Sequence, residues 1–177
     1  FKARLFFIMK KNHSISSVEL FRTLKTDEFY ELNIRPIIIA DNLRTPENMG
    51  AVLRLAGNIG ARLTLFISDT PLNFKTYKIK RTASGAFEKC DWKIITLEEL
   101  SQHIPSDYTI VALETSSKAT NIYSTPLPEK IAMIVGNELY GISPQLMNLA
   151  QFHVYIPLPG EIYSLNVTHA LSVGLFE

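Results

Sequence analysis

Ile156-Pro-Leu-Pro-Gly-Glu-Ile-Tyr-Ser164-Leu-Asn-Val-Thr-His-Ala170 lies between an apolar run at 152–156 and a helical pattern at 167–176. Pro157, Pro159 and Gly160 punctuate it as a stiff loop. Ser164 and Asn166 are N-cap residue types set directly before the helical pattern. The order is therefore strand, loop, helix N-terminus. Such an arrangement collects free backbone donors and acceptors in one place, as a small-molecule site requires.

Working outward, the same grammar recurs. Short, largely apolar runs at 36–40, 62–68, 92–96, 108–113, 131–135 and 152–156 read as six strands. Pro36-Ile-Ile-Ile-Ala40 carries no polar side chain, which marks a strand buried on both faces. Helical patterns alternate with these runs at 45–60, 97–104, 143–150 and 167–176. The alternation predicts an α/β fold with a mainly parallel six-stranded sheet and helices on both faces. Ligands of such sheets sit beyond the carboxyl ends of the strands. The loops after 36–40, 108–113, 131–135 and 152–156 are thus the candidate site, and polar residues, Gly and Pro gather there.

The helix at 45–60 is well specified. Thr45 is its N-cap, Pro46 its first residue and Glu47 an acid in its first turn. Met49, Val52, Leu53, Ala56 and Ile59 form an apolar stripe. Gly50, Gly57, Asn58 and Ala61 leave another face nearly bare around Arg54. That face suits a close-approaching backbone or a ligand. Arg54 there is either a solvated side chain or a ligand contact. Residues 1–34 read as an N-terminal appendage, with a helix over 14–32, and residues 35–177 as the domain.

The 177 residues are 46% hydrophobic and 20% charged, which suits one globular domain. Cys90 is the single cysteine, so an internal disulfide and multi-cysteine metal sites are excluded. No apolar run is long enough to span a membrane. Residues 1–93 hold 16 Lys and Arg against 9 Asp and Glu, and residues 94–177 hold 2 against 8. Either the surface charge divides by chance, or one half faces a polyanion and the other a different ligand. Phe74-Lys-Thr-Tyr-Lys-Ile-Lys-Arg81 interleaves cations with aromatics, which fits phosphates and stacked bases as well as a solvated face.

Several chemistries fail on the residues. Gly136-Asn-Glu-Leu-Tyr-Gly-Ile-Ser143 has P-loop spacing, but Ile142 stands where the cation is needed. No dinucleotide fingerprint follows a strand. His13, His103, His153 and His169 are scattered, so no metal cluster is expected. Ser84 and Ser164 lie outside any nucleophile elbow.

Three polar groups remain: Asn48 with Arg54, Asn137 with Glu138, and Ser164 with Asn166. Capping and loop hydrogen bonding would account for each alone. Together, however, Asn48-Met-Gly-x3-Arg54-x-Ala56, Ile134-Val-Gly-Asn-Glu-x2-Gly141-Ile-Ser143 and Ile156-Pro-x-Pro-Gly160-x3-Ser164-Leu-Asn-Val167 resemble, in order, the three motifs of the SpoU/TrmH class of RNA methyltransferases, within the SPOUT superfamily. The resemblance covers about residues 36–177.

It implies a C-terminal deep trefoil knot, an exception to unknotted topology. It also implies S-adenosylmethionine as methyl donor, S-adenosylhomocysteine as product and no metal. The reaction implied is methylation of a ribose 2′-hydroxyl in tRNA or rRNA by a cytoplasmic homodimer joined through the knot region. Carried over by position, Leu113, Thr115, Gly136, Ile156 and Leu165 would bind the cofactor. Arg54 would be the principal catalytic residue, reaching the partner's cofactor, with Asn48, Glu138, Ser164 and Asn166 as the polar shell. An Arg is too basic to take the ribose proton. Its expected role is a phosphate clamp and stabiliser of the forming alkoxide, with the base left open. A non-catalytic RNA- or ribosome-binding protein that keeps the pocket is the alternative of another class. A base methyltransferase is a third.

Overall fold

The computed structural model describes residues 16–22, 34–69 and 75–177. The strands are β1 (Ile37–Asp41), β2 (Leu63–Ile67), β3 (Trp92–Ile95), β4 (Thr109–Leu113), β5 (Thr120–Asn121), β6 (Ile131–Val135) and β7 (Phe152–Tyr155). The helices are α1 (Ser17–Phe21), α2 (Pro46–Ile59), α3 (Thr76–Ala83), α4 (Ala86–Lys89), α5 (Pro144–Leu149) and α6 (Val167–Phe176). One sheet, ordered β3-β2-β1-β6-β4-β7-β5, holds all seven strands. Every pairing is parallel.

The expected class is observed with one strand more than the six read from the sequence. The addition, β5, is two residues pairing with the edge of β7, too short to show a period of its own. The helix expected over 97–104 is instead one 3-10 turn, Leu100–Gln102. Only eight residues were available there, and Pro105 cannot continue a helix. Of the helix expected over 14–32, the described part is α1, capped where Ser16 Oγ accepts the Glu19 N–H at 3.2 Å. The rest of that expectation falls outside the described residues, as does Phe74.

β1 is buried along its whole length, as its apolar sequence demands. Ile38 and Ala40 face a core shared with α2, α3 and α6, while Ile37 and Ile39 face one shared with Leu100, Ile142 and Leu146. Helices thus cover both faces, and the sheet is the middle layer. α2 has its expected ends. Thr45 Oγ1 accepts the Asn48 N–H at 3.2 Å, and Gly60 closes the helix at φ 68°.

The bare face of α2 receives a close-approaching backbone, one of the alternatives expected, and that backbone belongs to the same chain. Gly50 and Gly57 do not wait for a second molecule, because α3 and α4 of the same chain occupy that face. A Cβ on Gly50 would lie 2.4 Å from the Ile79 carbonyl oxygen and 2.8 Å from Thr82 Cβ. One on Gly57 would lie 3.3 Å from Ala86 Cβ and from Cys90 Sγ. The glycines bring neighbouring helices into near-backbone contact.

Candidate active site

At the carboxyl edge of the sheet the loops after β1, β4, β6 and β7 meet. Two buried or half-buried acids hold them in place. Asp41, the last residue of β1, is 1% exposed. Its carboxylate accepts the Ser143 N–H at 2.6 Å and the Asn42 side-chain amide at 2.9 Å. Asn137 Nδ2 in turn donates to the Asn42 carbonyl at 2.6 Å. Asn42 takes a left-handed conformation, φ 45°, which Asn tolerates better than most residues. The β1 and β6 loops are therefore tied at two points.

Glu114, just past β4, ties the third loop. Its Oε1 accepts the Thr115 N–H at 2.8 Å and its Oε2 accepts the Ile142 N–H at 3.1 Å. Gly141, at φ 71°, makes room for this carboxylate, since a Cβ there would lie 2.5 Å from Glu114 Oε2. Gly136 is needed because the loop folds back on itself. A Cβ at 136 would lie 2.2 Å from the Gly141 carbonyl carbon. The loop closes by mutual backbone hydrogen bonds of 2.9 Å between Asn137 and Gly141.

A cavity of about 440 Å³ opens between these loops and the start of α6. All five expected cofactor residues, Leu113, Thr115, Gly136, Ile156 and Leu165, line it. So do Glu138, Ser164 and Asn166 of the expected polar shell, together with Glu114 and Tyr163. The size suits a nucleoside-sized molecule. Apolar walls from Leu113, Ile156, Leu158 and Leu165 suit a flat base. The carboxylates of Glu114 and Glu138 suit a cationic group. The lining therefore fits S-adenosylmethionine. Among the described residues no grouping of His, Cys, Asp and Glu could hold a metal ion.

Asn48 stands outside the cavity wall but is bonded to it. Its Nδ2 donates to Glu138 Oε1 at 2.5 Å, and its Oδ1 accepts from Asn166 Nδ2 at 3.4 Å. Glu138 Oε2 also accepts the Arg44 N–H at 3.0 Å. Asn166 caps α6 by accepting the Thr168 N–H at 2.9 Å. Three segments separated by 90 and 118 residues thus converge through Asn48, Glu138 and Asn166.

Arg54 is not brought to this cavity within the chain. It is exposed and lines a second concavity of about 420 Å³ with Gly57, Ser84, Gly85 and Lys89. Among the described residues it has no ion pair.

Asp41 and Glu114 are the residues that sequence reading passed over. The available signal was a lone acid closing an apolar strand, placed where the sheet class locates its ligands.

The chain matches the SpoU rRNA Methylase family over residues 35–176. It is 29% identical over 145 residues to the 23S rRNA (guanosine-2'-O-)-methyltransferase of Xylella fastidiosa, covering 80% of this chain and 57% of that one. It is 27% identical over 146 residues to the tRNA (guanosine(18)-2'-O)-methyltransferase of Aquifex aeolicus, covering 80% and 67%. The chain thus spans little more than half the length of the first relative. Among solved structures, the AdoMet-bound rRNA methyltransferase of Sinorhizobium meliloti superposes with a TM-score of 0.73 at 20% identity, covering 85% of this chain and 58% of that one. At that identity the likeness speaks for the fold. Three motifs in order, their convergence at one strand edge and a family match over most of the length lead to one conclusion: the chain belongs to the SpoU rRNA Methylase family.

Proposed function

We propose that this protein methylates a ribose 2′-hydroxyl of a tRNA or rRNA, with S-adenosylmethionine held in the cavity at the carboxyl edge. The observation that carries this reading is the Asn48–Glu138–Asn166 cluster, set against a cavity of the right size and lining. When bound, the cofactor supplies a methyl group on a sulfonium. The chain's own residues do the rest. Leu113, Ile156 and Leu165 pack the adenosyl group, and Thr115 and Gly136 offer backbone at its edge. Asn48, Glu138, Ser164 and Asn166 hold the target ribose so that its oxygen lines up with the methyl, and alignment of this kind is worth several powers of ten in rate. Arg54 clamps the adjacent phosphate and stabilises the forming alkoxide.

Arg54 is exposed and lies away from the cavity of its own chain, so we assign it to the cavity of a second copy. Leu139, Tyr140, Ile162 and Tyr163 are exposed on the loops around the cavity, a concentration of apolar surface that a homodimer would cover. We also propose that the C-terminal segment is knotted. In support, β7 lies between β4 and β5 in the sheet, so the last strand sits between two strands that the chain joins directly through residues 114–119. Residues 35–177 are the catalytic unit in this reading, and residues 1–34 an appendage to it.

The test is transfer of labelled methyl from S-adenosylmethionine to separated tRNA and rRNA pools, followed by alkaline hydrolysis. Label in one pool, retained in alkali-resistant dinucleotides, is expected. Label recovered in mononucleotides, as methylation of a base would give, would overturn the ribose assignment. Cofactor binding with no label in either pool would favour an RNA-binding protein that keeps the pocket.

A further inference from the structure

α3 carries the basic run that the site does not use. Its inner face, Ile79, Thr82 and Ala83, is pressed onto Gly50 of α2. Gly50 lies one turn before Arg54 on the same side of α2, and Ala83, Ser84 and Gly85 border the concavity that Arg54 lines, so α3 is clamped beside Arg54. Its outer face presents Tyr77, 59% exposed, and Arg81 one turn further on. Lys75 precedes the helix, and Lys78 and Lys80 flank the outer face.

These cations are not equivalent. Lys80 is committed to the α3–α4 corner, with its ammonium 2.9 Å from Glu88 and 4.8 Å from the centre of the Phe87 ring. That hydrogen bond holds the Glu88 carboxyl below its ordinary pKa. Arg81 reaches Glu47 in the first turn of α2 only at 3.9 Å, and both side chains are well exposed. Such a pair yields readily to a stronger anion. Lys75 and Lys78 have no carboxylate partner among the described residues. An exposed tyrosine therefore sits among two lysines without a carboxylate partner among the described residues and one loosely held arginine, on the side of α2 that carries Glu47.

We propose that the outer face of α3, through Lys75, Tyr77, Lys78 and Arg81, is the track along which the RNA strand enters the active site. Lys75, Lys78 and Arg81 take backbone phosphates, and Tyr77 stacks on a base. Charge complementarity selects the occupant. Cations interleaved with an exposed aromatic bind single-stranded nucleic acid with little regard to sequence, and the end of α3 borders the concavity of Arg54, so the track leads to the arginine assigned to the cavity of a second copy. This inference rests on the ribose methyltransferase reading and adds the surface that delivers the substrate.

The test is fluorescence anisotropy with a labelled tRNA transcript and a labelled rRNA fragment across a salt series. It compares wild type, K75E/K78E, Tyr77→Ala and Lys80→Glu, with calorimetric binding of S-adenosylhomocysteine as the check on folding. K75E/K78E is expected to bind RNA at least about tenfold more weakly at low salt. Its log–log salt slope should be shallower by about 1.4, the loss of two phosphate contacts on a single strand. Tyr77→Ala should weaken binding about fivefold or more with the slope unchanged. Lys80→Glu should stay within about twofold of wild type, and all variants should bind cofactor normally. Wild-type RNA binding with K75E/K78E unchanged in affinity and slope overturns the track alone. Wild-type cofactor binding without affinity for either RNA overturns the track and the methyltransferase reading together. Tighter binding of an acidic peptide than of RNA, lost in K75E/K78E, would assign the face to a protein partner instead.

Discussion

Glu114 and Gly141 show how closely the site is specified at the level of single residues. The carboxylate ties two loops that line the cavity, and it fits only because residue 141 has no side chain. A carboxylate has acceptor sites for every N–H it meets here, whereas an amide presents donors to donors. Glu114→Gln is therefore expected to weaken S-adenosylhomocysteine binding by about tenfold, the scale of one unmade buried hydrogen bond. Glu114→Asp, shorter but still anionic, should recover part of the affinity. Calorimetry on both variants checks this, with melting temperatures showing that the fold persists. The sequence displayed Glu114 only as a polar residue at a strand end. Nothing local announces that its partner is Ile142, 28 residues away. Asp41 is similar, since its bond to Ser143 spans 102 residues. By contrast, Asn48, Glu138, Ser164 and Asn166 were legible, because each stands in a motif whose order and spacing resemble a family.

At the scale of elements, the parts governed by local rules were readable and those governed by packing were not. The limits of α2 follow from Thr45, Pro46 and Gly60, and the burial of β1 follows from its unbroken apolar sequence. β5 escaped because two residues have no period, and the 97–104 helix failed because Pro105 truncates it. The small-residue face of α2 was visible and a close-approaching backbone was among its expected partners, but which backbone was not readable. Gly50 and Gly57 look alike whether the neighbouring backbone belongs to this chain or to another, and only the fold shows that α3 and α4 fill the space. Gly50→Ala places a methyl group against a backbone carbonyl that has no flexible end to yield. It is expected to destabilise the protein by about 1–3 kcal/mol, and to displace α3. Denaturant unfolding of Gly50→Ala beside Gly57→Ala, which meets only ordinary side-chain atoms at 3.3 Å, should show the larger loss at residue 50.

At the scale of the whole molecule, the proposed homodimer divides the catalytic machinery between two copies. One chain holds the cavity and the Asn48–Glu138–Asn166 cluster at the carboxyl edge, while Arg54 lies in a separate concavity on the face of α2. The sequence placed Arg54 and Asn48 in one motif, six residues apart, and only the family resemblance implied that Arg54 reaches the partner's cofactor. A helix rises about 9 Å over six residues, and the fold turns that separation into two different surfaces. Removing Arg54 is expected to lower kcat by about 10²–10³ while leaving cofactor affinity unchanged. The measurement that tests this division most directly is methyl transfer to RNA by Arg54→Ala and Glu138→Ala, each alone and then co-expressed as mixed dimers. One variant keeps an intact cavity and the other an intact arginine. In a mixed dimer the two meet at one of the two sites, so a random mixture should regain about a quarter of wild-type activity. A mixture no more active than either parent would contradict the sharing of the site, and would place Arg54 at the cavity of its own chain or outside the reaction.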